Sequence, residues 1–228
     1  GLYGADTGSI RIEGKVQRIR SPKDAMALGI SMIQQHFSLV PANTVTENIV
    51  LGTVSGIIDW KKMESEIGQL AEKYGFNIDP AAYVRDLTVG AQQKVEILKA
   101  LYQNARILIM DEPTAVLTPQ EIDSLMEFVR GFAAAGNSVV FITHKLREVM
   151  EVADRIVVMR NGVLKGDLKK NETSIEELSR LMVGRELEES RREEEPENQE
   201  KRDRLVLRDV TLQRDGEVPR LTGVSFSI

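Results

Sequence analysis

The sequence predicts an α/β fold with a mainly parallel sheet and helices on its faces. Three observations carry that expectation. Short apolar runs recur at residues 30–33, 107–110 and 139–142. Amphipathic stretches with helix-start signals lie between them. An acidic pair, Asp111 and Glu112, follows directly on one apolar run, where strands of such sheets hand over to functional loops.

The elements read in order as follows. Residues 9–13 alternate and end at Gly14, which predicts a strand and a turn. Ser21, Pro22 and Asp24 supply a cap, a proline for the first helical position and a first-turn acid, so a short helix runs to about Gly29. Residues 30–33 then form a buried strand, and residues 34–36 a loop. Thr44 and Glu47 have capping-box spacing. Residues 60–74 place Met63, Ile67, Leu70 and Tyr74 on one helical stripe. Residues 87–90 read as a loop feeding a helix from about Ala91 to Asn104. The run 107–110 reads as a buried parallel strand.

Thr118, Pro119 and Glu121 give three agreeing helix-start signals. Ile122, Leu125, Met126, Val129 and Phe132 then face one way, and Gly136 ends the helix. Residues 139–142 predict another buried strand, 145–153 a helix and 156–159 a strand. Asn161-Gly162 signals a type I′ hairpin into Val163 and Leu164. A last helix covers 174–182. Residues 186–203 are almost without apolar side chains and read as a charged linker. Residues 205–212, a turn at Asp215-Gly216 and residues 221–228 open a second domain.

Composition narrows the function. Among 228 residues there is no cysteine, which excludes disulfides, cysteine zinc sites and cysteine nucleophiles. Two histidines, His36 and His144, leave no room for a histidine-rich metal site. No apolar run approaches the roughly 20 residues of a membrane helix. The net charge of −5 is concentrated in the linker, and the balanced remainder argues against a large basic nucleic-acid surface. The chain begins without Met and stops in an alternating run, so we expect an internal segment of a longer protein.

Candidate chemistry gathers around the acidic pair. A carboxylate at a strand end can hold Mg²⁺, and its neighbour can accept a proton from water. Taken alone, the pair reads equally well as the start of a solvated loop. Thr143-His144 follows the next apolar run and should reach the same sheet edge, where a histidine can contact phosphate. Gln35 follows an earlier run, and its amide can orient water or bind Mg²⁺. Thr88 and Gly90 precede a helix whose free N–H groups can attract phosphate. Each of the three, by itself, reads as an ordinary loop or cap residue.

In combination, these residues resemble the ATP-binding cassette (ABC) ATPase family. Residues 107–114 resemble its Walker B strand with the catalytic glutamate, and residues 87–92 its signature loop. Gln35 matches the Q-loop glutamine, His144 the switch histidine, and residues 115–118 the D-loop. The resemblance covers about 1–185 and resumes at 204–228. It implies an ABC-type P-loop NTPase cassette with a helical subdomain at about 43–86, a linker at 186–203, and the first strands of a second cassette. Residues 35–40, 111–121 and 143–147 look like tandem-cassette importers of simple sugars, and most like those of nucleosides. Three positions depart from the usual pattern: Thr88 for serine, Ala91 for a polar residue, and Thr118 for the D-loop aspartate.

No G-x-x-x-x-G-K-[ST] phosphate loop occurs in the sequence. Residues 1–4 resemble the end of the helix that follows it in the family, so we expect that loop just upstream. The resemblance further implies ATP and Mg²⁺ as ligands, with Asp111 and Gln35 on the metal. Glu112 would activate water, and His144 would contact the γ-phosphate. Thr88, Gly90 and Gln92 would close over ATP held by the second cassette of the same chain. Partners would be integral membrane permease subunits and, through them, a substrate-binding protein, but no nucleic acid. The location would be peripheral, at the cytoplasmic face of the cell membrane. The resemblance also implies a permease-receiving surface beside Gln35, whereas Ile57, Ile58 and Trp60 individually read as members of a small core. Two other readings stand: a soluble tandem ABC ATPase acting on ribosomes or nucleic acid, and a non-hydrolysing regulatory cassette.

Overall fold

The computed structural model describes residues 1, 3–54, 56–183, 205–212 and 221–227. By its internal contacts the chain divides into two units, residues 1–185 and 186–228. The charged linker and the Asp215-Gly216 turn read from the sequence lie outside the described residues.

The first unit is built on three parallel strands, β3 (Ile30–Ile33), β4 (Ile107–Asp111) and β5 (Ser138–Ile142), in the order β3-β4-β5. Ile33 pairs with Met110, and Asp111 with Ile142, so all three strands end at one edge. Before them stand an antiparallel hairpin, β1 (Ile10–Ile12) with β2 (Lys15–Gln17), and helix α1 (Pro22–Ala27). The second strand carries a single apolar residue, Val16, too short an alternation to mark a strand in the sequence.

Helix α4 (Val89–Tyr102) packs on β3, and α2 (Val45–Val50) and α3 (Trp60–Lys73) pack on α4. Asn48 ties α2 to the chain before it. Its Oδ1 accepts from Val40 N at 2.7 Å, and its Nδ2 donates to Val40 O and Thr44 O at 3.0 and 2.9 Å. Helix α5 (Pro119–Ala134) packs on β5 and α6 (Leu146–Val152). The core between these elements contains Ile33, Ile67, Leu98, Leu108, Met110 and Val129. Each such side chain contributes about 1.5–3 kcal/mol by leaving water. A smaller core joins α7 (Ile175–Val183) to the antiparallel pair β6 (Arg155–Arg160) and β7 (Val163–Lys169). Asn161 and Gly162 both have left-handed φ, 52° and 73°, as the expected type I′ turn requires. The second unit shows an antiparallel pair, β8 (Val206–Leu212) with β9 (Leu221–Ser227).

Both capping boxes read from the sequence are formed, at Thr44–Glu47 and Thr118–Glu121. Four expectations need correction. Helix α4 starts at Val89 and not at Ala91, because the Thr88 hydroxyl accepts from Ala91 N and caps it. It ends at Tyr102, and Asn104 with φ 57° turns the chain away. The strands are buried on one face only: Met32, Val140 and Ile142 are exposed, while Ile33, Leu108 and Met110 are buried. Apolar runs do not report which face is covered. Finally, Ile57 and Trp60 are exposed and belong to no core.

Candidate functional site

The parallel register brings the ends of β3, β4 and β5 together, and with them the residues that follow. Asp111, half-buried, is the last residue of β4. Glu112 extends the pairing by one step, its N–H donating to Ile142 O at 2.9 Å. Its φ of 46° then turns the chain out of the sheet. A long side chain in the left-handed region carries about 1–2 kcal/mol of strain, which residues at functional sites often hold. Ala115 N closes the turn on Glu112 O at 3.2 Å.

His144 meets Glu112 across this edge, with its Nδ1 2.7 Å from Glu112 Oε1. The ring stays largely exposed, whereas the glutamate side chain is mostly covered. Nδ1 is thus engaged and Nε2 is open toward solvent. Glu112 Oε2 is buried and has no hydrogen-bond partner among the described residues. An orphaned carboxylate oxygen of this kind fits a donor from a water or a ligand.

A second layer of polar contacts lies behind the pair. Thr114 Oγ1 donates to the buried Glu148 carboxylate at 2.8 Å. Lys145 Nζ donates to Thr114 O at 2.9 Å and Thr114 Oγ1 at 3.1 Å, and lies 3.4 Å from Glu148 Oε1. Thr143 Oγ1 accepts from Lys145 N at 3.0 Å. This layer was not among the residues singled out from the sequence, because no local pattern marks a single buried acid such as Glu148.

The remaining candidates fall into two places. Gln35, exposed, lies two residues beyond Ile33, at the same sheet edge as Asp111. The segment just after it is held by Glu96 of α4, whose buried carboxylate accepts from Ser38 N at 2.6 Å. Thr88, Gly90 and Gln92 stand together at the start of α4, and among the described residues no hydrogen bond joins them to Glu112 or His144. Gln92 Nε2 folds back onto Leu87 O at 3.2 Å. Gly90 is buried against α5: a Cβ there would overlap the Glu121 carboxylate. That carboxylate accepts from Thr118 N and Thr118 Oγ1, each at 2.9 Å. The Thr118 backbone bond first, and the hydroxyl bond second, hold the Glu121 pKa below its ordinary value.

Among the described residues no group of three or more His, Cys, Asp or Glu side chains converges on a metal position. Mg²⁺ needs no such cage. It takes one or two protein oxygens and completes its shell with water and phosphate. The Asp111 carboxylate and the Gln35 amide oxygen are hard donors of the required kind.

Residues 1–115 match the protein family described as ABC transporter. A nucleoside import ATP-binding protein of Lactococcus lactis subsp. cremoris is 48% identical over 188 residues, covering 81% of this chain and 37% of that protein. A guanosine import ATP-binding protein of Bacillus subtilis is 43% identical, covering 82% and 37%. A ribose import ATP-binding protein of Rubrobacter xylanophilus is 44% identical, covering 98% and 47%. The chain therefore spans less than half the length of these relatives. In fold it is similar to the ADP conformation of an ATP-binding cassette of an ABC transporter, with a TM-score of 0.66 at 22% identity, covering 80% of this chain and 76% of that one. A dimeric, post-hydrolysis cassette bound to ADP and Pi gives 0.62 at 20% identity, with coverages of 74% and 76%.

Proposed function

The chain belongs to the ABC transporter family, and from that premise we propose that it forms part of the ATP-hydrolysing motor of an importer for nucleosides or simple sugars. The observation that carries the reading is the contact between Glu112 and His144 at the carboxyl edge of a parallel sheet.

In the proposed mechanism ATP lies at that edge. Asp111 and Gln35 would hold Mg²⁺, which when bound neutralises charge on the phosphates. Glu112 orients the attacking water and takes its proton, using the oxygen left without a partner. His144 keeps Glu112 in place through Nδ1 and turns its free nitrogen to the terminal phosphate. Thr88, Gly90 and Gln92 belong to the complementary half-site and close over ATP bound by a second cassette. The hydroxyl of Thr88 already caps α4, so it also fixes the helix N-terminus that would face phosphate.

The parent polypeptide, on this reading, supplies a phosphate loop upstream and a second cassette whose first strands are β8 and β9. The uncovered apolar face of the sheet, with Met32, Val140 and Ile142, supports an additional packed segment. Ile57 and Trp60, exposed near the start of α3, suit contact with the permease. No described helix is long and apolar enough to cross a membrane. As the motor of an importer, the protein would sit peripherally on the cytoplasmic face, held by its permease. The solute would be chosen by a substrate-binding protein and the permease.

Affinity purification of the complete gene product from gently solubilised cells tests the assignment. Co-purification of multi-span membrane subunits, with ATP hydrolysis stimulated by a nucleoside or sugar and its binding protein, is the expected result. Sedimentation with ribosomes, without membrane subunits, would overturn it.

A further inference from the structure

The catalytic pair is carried on two loops that the sheet alone does not lock together. Beyond the bond from Glu112 N to Ile142 O, β4 and β5 have no further ladder contact. One loop continues through Pro113 to Thr114, and the other runs through Thr143 to Lys145. Thr114 is buried, and its hydroxyl donates to Glu148 while accepting from Lys145. Lys145 adds a bond to the Thr114 carbonyl, and its own N–H is held by the Thr143 hydroxyl. Glu148 closes the set from α6, within reach of Thr114, of Lys145 and, at 3.4 Å, of Thr143.

These contacts bracket both members of the pair. Glu112 lies two residues before Thr114, and His144 lies between Thr143 and Lys145. A half-buried lysine and a buried glutamate are paired here. Burying charge is costly unless it is paired and hydrogen-bonded, as these groups are. Such a cluster rigidifies its surroundings more than it stabilises the fold.

We propose that Thr114, Lys145 and Glu148 are positioning residues that staple the two loops and hold His144 against Glu112. They touch no substrate; they set the distance and orientation of the groups that do. The role rests on the ATPase reading, but the staple itself can be tested without turnover.

Two experiments decide it. The first measures steady-state ATP hydrolysis by the complete gene product carrying Thr114→Val, Thr114→Ser or Lys145→Met, with circular dichroism to confirm folding. Thr114→Val keeps the shape and removes the hydroxyl. We expect kcat to fall about 10–100-fold in Thr114→Val and Lys145→Met, the size of loss that a displacement of about 1 Å produces. KM for ATP should change far less than kcat, because Asp111 and Gln35 are untouched and only the reach of His144 to the terminal phosphate shifts. Thr114→Ser should recover most of kcat. Folded Thr114→Val and Lys145→Met proteins with wild-type kcat would overturn the proposal, and if Thr114→Val does not fold, Lys145→Met decides alone.

The second experiment reads the ring nitrogens of His144 by NMR in the 228-residue chain. The sequence has two histidines, so His36→Gln leaves one ring to observe. Lys145→Met should move the Nδ1 signal in the same direction as Glu112→Ala does. A Nδ1 signal moved by Glu112→Ala but unmoved by Lys145→Met would overturn the staple. Absence of ATP turnover in the wild-type gene product would refute the motor reading and leave this readout to judge the staple.

Discussion

Replacing Gly90 with alanine should not give the stability that a glycine-to-alanine change in a helix normally gives. Gly90 lies in the first turn of α4, and an alanine there gains at most about 1 kcal/mol of helix propensity. The new methyl would overlap the Glu121 carboxylate. That carboxylate cannot move freely, because it accepts from Thr118 N and Oγ1 at 2.9 Å each. Displacing it removes the reach-back half of the α5 capping box, which costs about 1 kcal/mol. Gain and loss nearly cancel, and the crowding that remains tips the balance against the variant. In a Glu121→Ala background the cap is already lost and the space is open. The same Gly90→Ala change should then stabilise by about 1 kcal/mol. The coupling energy between the two sites is therefore about 1 kcal/mol or more. Urea unfolding of the wild type, both single variants and the double variant, followed by far-UV circular dichroism, measures it. A Gly90→Ala change that stabilises both backgrounds equally would refute the reasoning.

Two further outcomes are expected. Leu98, fully buried where α4 meets the sheet, should cost about 2–5 kcal/mol when changed to alanine, read as a lower urea midpoint. Acid should weaken the first unit through its helix caps. Asp24 is held below its ordinary pKa of 3.8 chiefly by the Arg20 N–H, Glu121 below 4.5 by the Thr118 N–H, and Glu176 below 4.5 by the Ser174 hydroxyl. The unfolded chain binds these protons more readily, so the caps contribute fully above pH 4.5 and are lost as pH falls through the depressed values. Thermal melts should be flat from pH 7 to about 5 with respect to these groups and fall below that; replacing Glu121 with Gln should reduce the acid slope.

What was legible in the sequence depended on local signals. Thr44–Glu47 and Thr118–Glu121 announced helix starts because a capping box is written in four consecutive residues. The stripe through Met63, Ile67 and Leu70 gave α3, because one face of it meets the core. The end of α4 and the second strand of the first hairpin were missed, since neither Asn104 nor residues 15–17 break a pattern strongly. The open face of the sheet was invisible: Val140 and Ile142 are as apolar as their buried neighbours. Ile57 looked like core for the same reason.

For the site, an acidic pair behind one apolar run and a histidine behind the next implied one sheet edge. The register then brought Glu112 and His144 into contact. The sequence could not give the strained φ of Glu112 or its orphaned oxygen, because both arise from how the loop leaves the sheet. Nor could it give the burial of Glu148, which depends on α6 lying against a loop more than thirty residues earlier.

Single-turnover ATP hydrolysis by the complete gene product carrying Glu112→Gln, compared with the wild type, bears most directly on the role of the Glu112–His144 pair. Glutamine keeps the size of the side chain and removes its ability to take a proton. ATP binding should persist, and hydrolysis should fall by about 10²–10⁴-fold, the contribution of a positioned general base. Hydrolysis at the wild-type rate would contradict the assignment of Glu112 and, with it, the mechanism built on this edge of the sheet.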